Sequence, residues 1–280
     1  MRQIQARQKA RTKLPEWADN PDLIFPPALS VEQASSARTA AFKAGLVEGE
    51  RLADLTGGFG ADTAHFAARM GHVDYVERDP KLAAIVNYNL AQLGICNVTV
   101  HAADAVAFLK STPHHYDWLY LDPARRDTAA RKIFLLHDCE PDVVKLLPLL
   151  LHKADKVLLK TSPMLDIEHA VQGLGHVRRL WVLALDNEVK EVLYEPGPGA
   201  RRRPGALRPQ PAPRRQPAGI PAQPRPRGPG HTPLRRSPAV PLRTQRRRAQ
   251  SWCVSQHRHG LRVAQATPAQ PPVHVRCAAG

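Results

Sequence analysis

Asp54-Leu55-Thr56-Gly57-Gly58-Phe59-Gly60-Ala61-Asp62 decides how this chain folds. It closes a short apolar run, Arg51-Leu-Ala-Asp-Leu, and leads into a helical stretch from Asp62 to Met70 that stops at Gly71. Glycines at a strand-to-helix turn let the backbone bend sharply and pass close to a ligand. A glycine-rich turn alone can equally be a tight connection. The acid at the strand end changes the reading. A phosphate-binding turn offers backbone N–H groups to an anion and prefers a neutral or basic surround, whereas Asp54 suits a cationic or amino-bearing ligand.

Outward from this turn, short apolar runs alternate with helical stretches. Strands are predicted at 72–77, 98–101, 116–121, 156–160, 179–185 and 189–194, the last two joined as a hairpin through Asp186-Asn187-Glu188. Helices are predicted at 80–93, 104–109, 143–151 and 167–174. This alternation implies βαβ units in a mostly parallel sheet, with one antiparallel strand supplied by the hairpin. Ahead of it, residues 1–18 read as a basic helix. Pro21, Pro26 and Pro27 mark a loop, and a helix capped at Ser30 runs to Ala44.

Four more acidic or basic positions fall at strand ends, where α/β sheets bind ligands. Glu77 follows the second strand and can accept hydrogen bonds from both ribose hydroxyls, or be a solvated charge. Asp104 follows the third and can accept from an adenine amino group, or cap the next helix. Leu121-Asp122-Pro123-Ala124-Arg125-Arg126 follows the fourth, and its arginines can contact phosphate or face water. Lys160-Thr161-Ser162-Pro163 follows the fifth. Asp79 reads as a helix cap before Pro80. Neither metal-ligand spacing nor a nucleophile setting is visible.

The formal net charge of +15 is unevenly spread. Residues 196–280 hold seventeen Arg, seventeen Pro and no Lys, Asp or Glu, so the first 195 residues carry a net −2. The tail is too poor in apolar residues to offset its chain entropy, and a disordered tail is expected. At the upstream frequency about eleven acids would fall there, and the residues that dominate have GC-rich codons. The composition therefore predicts an out-of-frame translation, with a genuine basic RNA-binding tail as the alternative. No run of 18 apolar residues is present, which excludes a helical membrane span from the expectation. Cys96, Cys139, Cys253 and Cys277 form no CxxC pair, which fits a reducing cytoplasm and not a disulfide framework.

Together, the glycine turn, Glu77, Asp104 and Asp122-Pro123 resemble the class I S-adenosylmethionine-dependent methyltransferases, over about residues 37–195. More narrowly, Leu14-Pro15-Glu16-Trp17, Phe25-Pro26-Pro27, Glu32-Gln33-Ala34-Ser35-Ser36, the glycine turn, Leu121–Arg126, Lys160-Thr161-Ser162-Pro163-Met164 and Asp186-Asn-Glu-Val-Lys-Glu191 look like a bacterial group of methyltransferases with a THUMP-like C-terminal domain. The resemblance implies an N-terminal helical segment (1–36) and a Rossmann-like, doubly wound α/β domain (37–195). Its seven-stranded, mostly parallel sheet would run in the order 3-2-1-4-5-7-6, with the last strand antiparallel. It implies S-adenosylmethionine as cofactor, with Asp54, Gly57, Gly58 and Gly60 around its methionine part, Glu77 at the ribose and Asp104 at the adenine. Ser35 and Ser36 would help close the pocket. Asp122 and Pro123 would face the methyl group and the acceptor, and Arg125, Arg126 and Lys160 would contact the substrate, RNA.

The match is incomplete. Enzymes acting on exocyclic amines often carry Asp/Asn-Pro-Pro-aromatic after strand four, where this chain has Ala124 and Arg125. Arg125 could stack on a base or bind a phosphate instead. No folded THUMP-like domain is evident after residue 195. Two further readings stay open. One is an NAD-dependent oxidoreductase, favoured by Glu77 and opposed by a turn that is not GxGxxG. The other is a non-catalytic RNA-binding protein working through the arginine tail.

Overall fold

Continuous apolar runs such as Tyr116-Asp-Trp-Leu-Tyr-Leu121 form strands that are covered on both faces, as parallel strands in α/β folds are. The computed structural model describes residues 2–125, 135–198, 250–257 and 260–266. Its strands are β1 (Gly49–Asp54), β2 (Met70–Glu77), β3 (Val98–Ala102), β4 (Tyr116–Leu121), β5 (Ala154–Thr161), β6 (Val177–Leu185), β7 (Glu188–Pro196), β8 (Gln250–His257) and β9 (Gly260–Ala266). They form one sheet in the order β9-β8-β6-β7-β5-β4-β1-β2-β3. The neighbours β3, β2, β1, β4 and β5 are parallel, while β7 lies antiparallel to both β5 and β6. The expected order 3-2-1-4-5-7-6 is present within this sheet. The difference is an extension at the β6 edge, where β8 pairs antiparallel from Val254↔Leu180 to Gln250↔Ala184.

That hairpin falls inside the stretch expected to be disordered. Proline content averaged over the whole tail hides its cause, since no proline lies between Pro241 and Pro268 and the ladder loses no donor there. The rest of the tail lies outside the described residues. Cys96 is disulfide-bonded, so the cysteine pattern no longer argues for a reducing compartment, and Cys139 is buried.

Two apolar layers sandwich the sheet, because successive residues of each strand face opposite ways. Ala53, Leu119, Leu121 and Leu159 pack with α7 (Ala105–Ser111), α8 (Val143–Lys153) and α9 (Ile167–Leu174). Leu52, Trp118, Tyr120 and Leu158 pack on the other face, with Phe66 and Ala67 of α5 (Ala61–Ala67) and Ala44 at the end of α4 (Ala37–Ala44). The β6–β7 turn is two residues long, with φ of 55° at Asp186 and 67° at Asn187, the hairpin conformation that short polar residues tolerate.

At the N-terminus, α1 (Arg2–Lys13) and α2 (Pro15–Asp19) are separate helices, and α3 (Ala28–Gln33) is distinct from α4. The sequence reading joined each pair, and Ser30 lies inside α3, whose N-cap is Pro27. The chain breaks because Ser36 caps α4, accepting a hydrogen bond from the Thr39 N–H at 3.2 Å. The segment is pinned by side chains that satisfy loop backbone. Arg7 donates to the carbonyls of Ala18, Pro21 and Leu23, and Asn89 of α6 (Pro80–Gln92) exchanges two bonds with Ile24. Among the described residues no helix is long and apolar enough to cross a membrane.

Candidate active site

The glycine turn sits at the carboxyl end of β1, and each glycine has its own reason. A Cβ on Gly57 would lie 2.0 Å from the Tyr75 ring, so that position admits no side chain. Gly58 and Gly60 adopt φ of 53° and 80°, which side-chain-bearing residues avoid. The turn is held from three sides. Gly57 N–H donates to Val76 O at 3.0 Å, Tyr75 hydroxyl donates to Gly58 O at 2.7 Å, and Gly58 N–H donates to Glu77 Oε2 at 3.1 Å.

Asp54 is buried beneath the turn. It accepts from Thr63 Oγ1 at 2.6 Å and from Thr56 N–H at 3.2 Å. Burial pushes its carboxyl up to about 7 against the opposing pull of those two bonds, with the nearby Asp62 adding to the rise. Glu77 also accepts from Asp79 N–H at 2.9 Å, so one half-buried carboxylate braces both the turn and the start of α6. Asp104 is exposed and caps α7, Oδ1 accepting from Val106 and Ala107 N–H. The structure therefore brings Asp54, Gly57, Gly58, Gly60 and Glu77 together, and sets Asp104 at the neighbouring strand end.

Asp122 follows β4 and Lys160 lies near the end of the adjacent β5, each one residue beyond the paired Leu121↔Leu159. Their side chains form an ion pair, Lys160 Nζ donating to Asp122 Oδ2. Asp122 N–H donates to Thr56 Oγ1 at 2.6 Å, which ties this corner to the glycine turn. Pro123 is buried behind it. Burial opposes the charge on Lys160, but Asp122, Glu191 and Asp62 outweigh it and raise its pKa, so it stays an ammonium. Of Arg125 only the backbone is described, in a short ribbon with Cys139–Glu140, and Arg126 lies outside the described residues.

Sequence reasoning missed the group beneath this corner. Lys43 on α4 is fully buried, its Nζ 2.7 Å from Ser35 Oγ, 2.7 Å from Glu191 Oε2 and 3.0 Å from Asp62 Oδ1. Asp62 Oδ2 accepts from Ser35 Oγ and from the Tyr120 hydroxyl, each at 2.8 Å. Burial would raise the Asp62 carboxyl, but Lys43 and Lys160 hold it below its usual range. Burial and the surrounding acids Asp62, Asp122, Glu191 and Asp54 keep the Tyr120 phenol protonated. Ser35 thus belongs to the network, whereas Ser36 is the cap of α4. Lys43 and Lys160 are set among Asp62, Asp122 and Glu191, with Lys13 near enough to interact with Lys160 and Glu191.

Above the turn, Phe59 packs into the N-terminal segment, its ring 5.1 Å from Trp17 and 5.5 Å from Phe25. The Leu14–Trp17 and Phe25–Pro27 stretches therefore hold the outer wall of the glycine turn. Among the described residues no group of three or more His, Cys, Asp or Glu side chains is placed to hold a metal ion.

A sheet in this order, with an acid-tipped β1, a glycine turn and an acid ending β2, is a Rossmann-like α/β fold. In particular, the chain is similar to a protein from Porphyromonas gingivalis W83 described as a putative methyltransferase, at 35% identity and a TM-score of 0.65. The match covers 70% of this chain and 49% of that one, so this chain spans about half that protein's length. An rRNA methylase from Streptococcus thermophilus (13% identity, TM-score 0.41, 57% of this chain and 93% of that one) is a more distant likeness. So is a SAM-dependent O-methyltransferase from Thermotoga maritima (16%, 0.43, 64% and 74%), and both are too remote to inform the site. No protein-family description matches the sequence, and neither does any curated protein.

Proposed function

We propose that the chain is an S-adenosylmethionine-dependent methyltransferase acting on an RNA base. The observation that carries the cofactor is the glycine turn itself, packed over the buried Asp54 and tied to Glu77. S-adenosylmethionine bears a sulfonium and an ammonium against one carboxylate, a net positive ligand, and the acids Asp54, Asp62 and Asp122 gathered at this corner suit that charge. Gly57 and Gly58 give a backbone surface free of side chains for its methionine part, Glu77 can take the ribose hydroxyls, and Asp104 borders the adenine side. Bound there, the cofactor supplies an electrophilic methyl group. The protein's part is to hold the acceptor in line at Asp122 and Pro123, and to accept a proton at Asp122.

RNA as substrate, from tRNA or rRNA, rests on the resemblance to the group with a THUMP-like domain. That domain would fall in residues 196–280, most of which lie outside the described residues. Calorimetry with S-adenosylmethionine on the wild type, Asp54→Ala and Glu77→Ala tests the pocket. Binding by the wild type that weakens at least about tenfold in either variant is expected, a loss of about 1.4 kcal/mol. Undiminished binding in both variants overturns the assignment, as does tight NAD binding without S-adenosylmethionine binding.

A further inference from the structure

We infer that Lys160 is a positioning residue that acts through Asp122: its ammonium holds that carboxylate in place and ionised, so that Asp122 can take the acceptor's proton, and it is not itself a contact to the substrate. The inference rests on the reading above, in which Asp122 accepts that proton, and deepens it.

The geometry gives the two side chains different places. They are neighbours across β4 and β5 at the carboxyl edge of the sheet, with Lys160 Nζ donating to Asp122 Oδ2. Their side chains are 32% and 10% exposed, so an acceptor arriving from solvent meets the carboxylate, and the ammonium lies behind it. Thr56 Oγ1 accepts from the Asp122 N–H at 2.6 Å and fixes the backbone, while Lys160 fixes the side chain. The pair is made at Oδ2, and Oδ1 is the second oxygen that a carboxylate can offer to a proton.

Electrostatics then sets the division of labour. Among the described residues, the charged and titratable groups facing Asp122 are Lys160 from β5, Lys43 from α4, Asp62 from α5, Asp54 at the end of β1, and Tyr120 of β4 itself. Burial raises the Asp122 carboxyl above the usual carboxylate range. Lys160 opposes that rise most strongly, ahead of Lys43, while Asp62 adds to it. Without Lys160 the carboxyl would keep its own proton to a higher pH and could not accept another. Lys160 is not the base, because Asp122, Glu191 and Asp62 outweigh its burial and hold it as an ammonium. The step balances. An N–H or O–H proton of the acceptor passes to Asp122, the acceptor's electron pair forms the bond to the donor's methyl carbon, and the electrons of the broken carbon–sulfur bond stay on sulfur. Asp122 then returns the proton to water, a release that the neighbouring ammonium favours.

The test titrates the full chain, isotope-labelled at its aspartate carboxyl carbons, by NMR, with the Asp122 signal identified as the one lost in Asp122→Asn. Lys160→Met and Lys160→Gln should each move its midpoint upward by about 1 pH unit or more, and Lys160→Arg, which keeps the charge, should leave it near the wild-type value. The two neutral variants differ in polarity, so if one fails to fold the other decides. A midpoint that stays in place in a folded neutral variant overturns the inference. A second arm follows methyl transfer from S-adenosylmethionine to unmodified transcribed tRNA and rRNA across pH. The acid limb of kcat should move up with the titration midpoint in the neutral variants, while KM stays within about twofold. A raised KM with the acid limb in place makes Lys160 a substrate contact and overturns the inference. No methylation by wild-type protein that binds S-adenosylmethionine refutes the RNA-methyltransferase reading, whereas the titration still decides whether Lys160 sets the proton affinity of Asp122.

Discussion

Replacing Lys43 with methionine removes a cation that touches both Asp62 and Glu191 in the buried network, at 3.0 and 2.7 Å. Methionine fills nearly the same volume, so the loss is electrostatic and little of it comes from a cavity. Breaking a buried ion pair by deleting one partner costs about 3–5 kcal/mol, because it strands uncompensated charge. For a domain of this size each kcal/mol shifts Tm by about 2–4 °C, so Lys43→Met should melt about 6–20 °C below the wild type. The sign of the pH dependence follows from Asp62. Its carboxyl lies below the usual range when folded, so the stability it lends is full above the unfolded value near about 3.9 and is lost as pH falls below it. In Lys43→Met that advantage is gone and the stranded acids prefer their protons. The gap between variant and wild type should therefore narrow as pH drops from about 7 toward about 4. Urea melts at both pH values, with Glu191→Gln and the Lys43→Met/Glu191→Gln double variant, complete the cycle. The double variant should lose less than the sum of the singles by about 1 kcal/mol or more. A Lys43→Met loss under about 1 kcal/mol, or strict additivity, would refute the reading of this cluster as a coupled buried network.

Three other perturbations probe the turn and its supports. Asp54 titrates near about 7 when folded, above its unfolded value, so wild-type stability should fall as pH rises from about 4 to about 7, and Asp54→Asn should flatten that slope in melts across the range. Gly57→Ala would place a Cβ 2.0 Å from the Tyr75 ring, and calorimetry should show S-adenosylmethionine binding lost while circular dichroism stays native. A variant that binds normally would show that the turn relaxes freely. Phe59→Ala removes the ring packed between Trp17 and Phe25, with an expected loss of about 3–5 kcal/mol and faster proteolysis within residues 1–36. Unchanged cleavage would mean that the aromatic contact does not hold the segment down.

The glycine turn, Glu77 and the Asp122 corner were legible because their signals are local, with glycines and acids placed at strand ends and helix starts. Lys43 was not. In Ala37-Arg-Thr-Ala-Ala-Phe-Lys-Ala it looks like an outward charge on a short helix, and its partner Glu191 lies 148 residues away. Only tertiary pairing buries it. Ser35 and Ser36 read alike in sequence, yet one bonds Asp62 while the other caps a helix. The Asp104 cap was foreseen as one of two roles. The β8–β9 hairpin was hidden by averaging proline over 85 residues.

The aromatic clasp on Phe59 also orders events during synthesis. Residues 1–36 leave the ribosome before Phe59 and Ala61, which complete the cluster that buries Ala6, Ala10, Leu14 and Trp17. Asn89, which locks Ile24, is translated 65 residues later. At about 5–20 residues per second that is a wait of about 3–13 s. Through that interval the segment lacks its later partners, and is a natural client for a chaperone until α6 emerges to receive it.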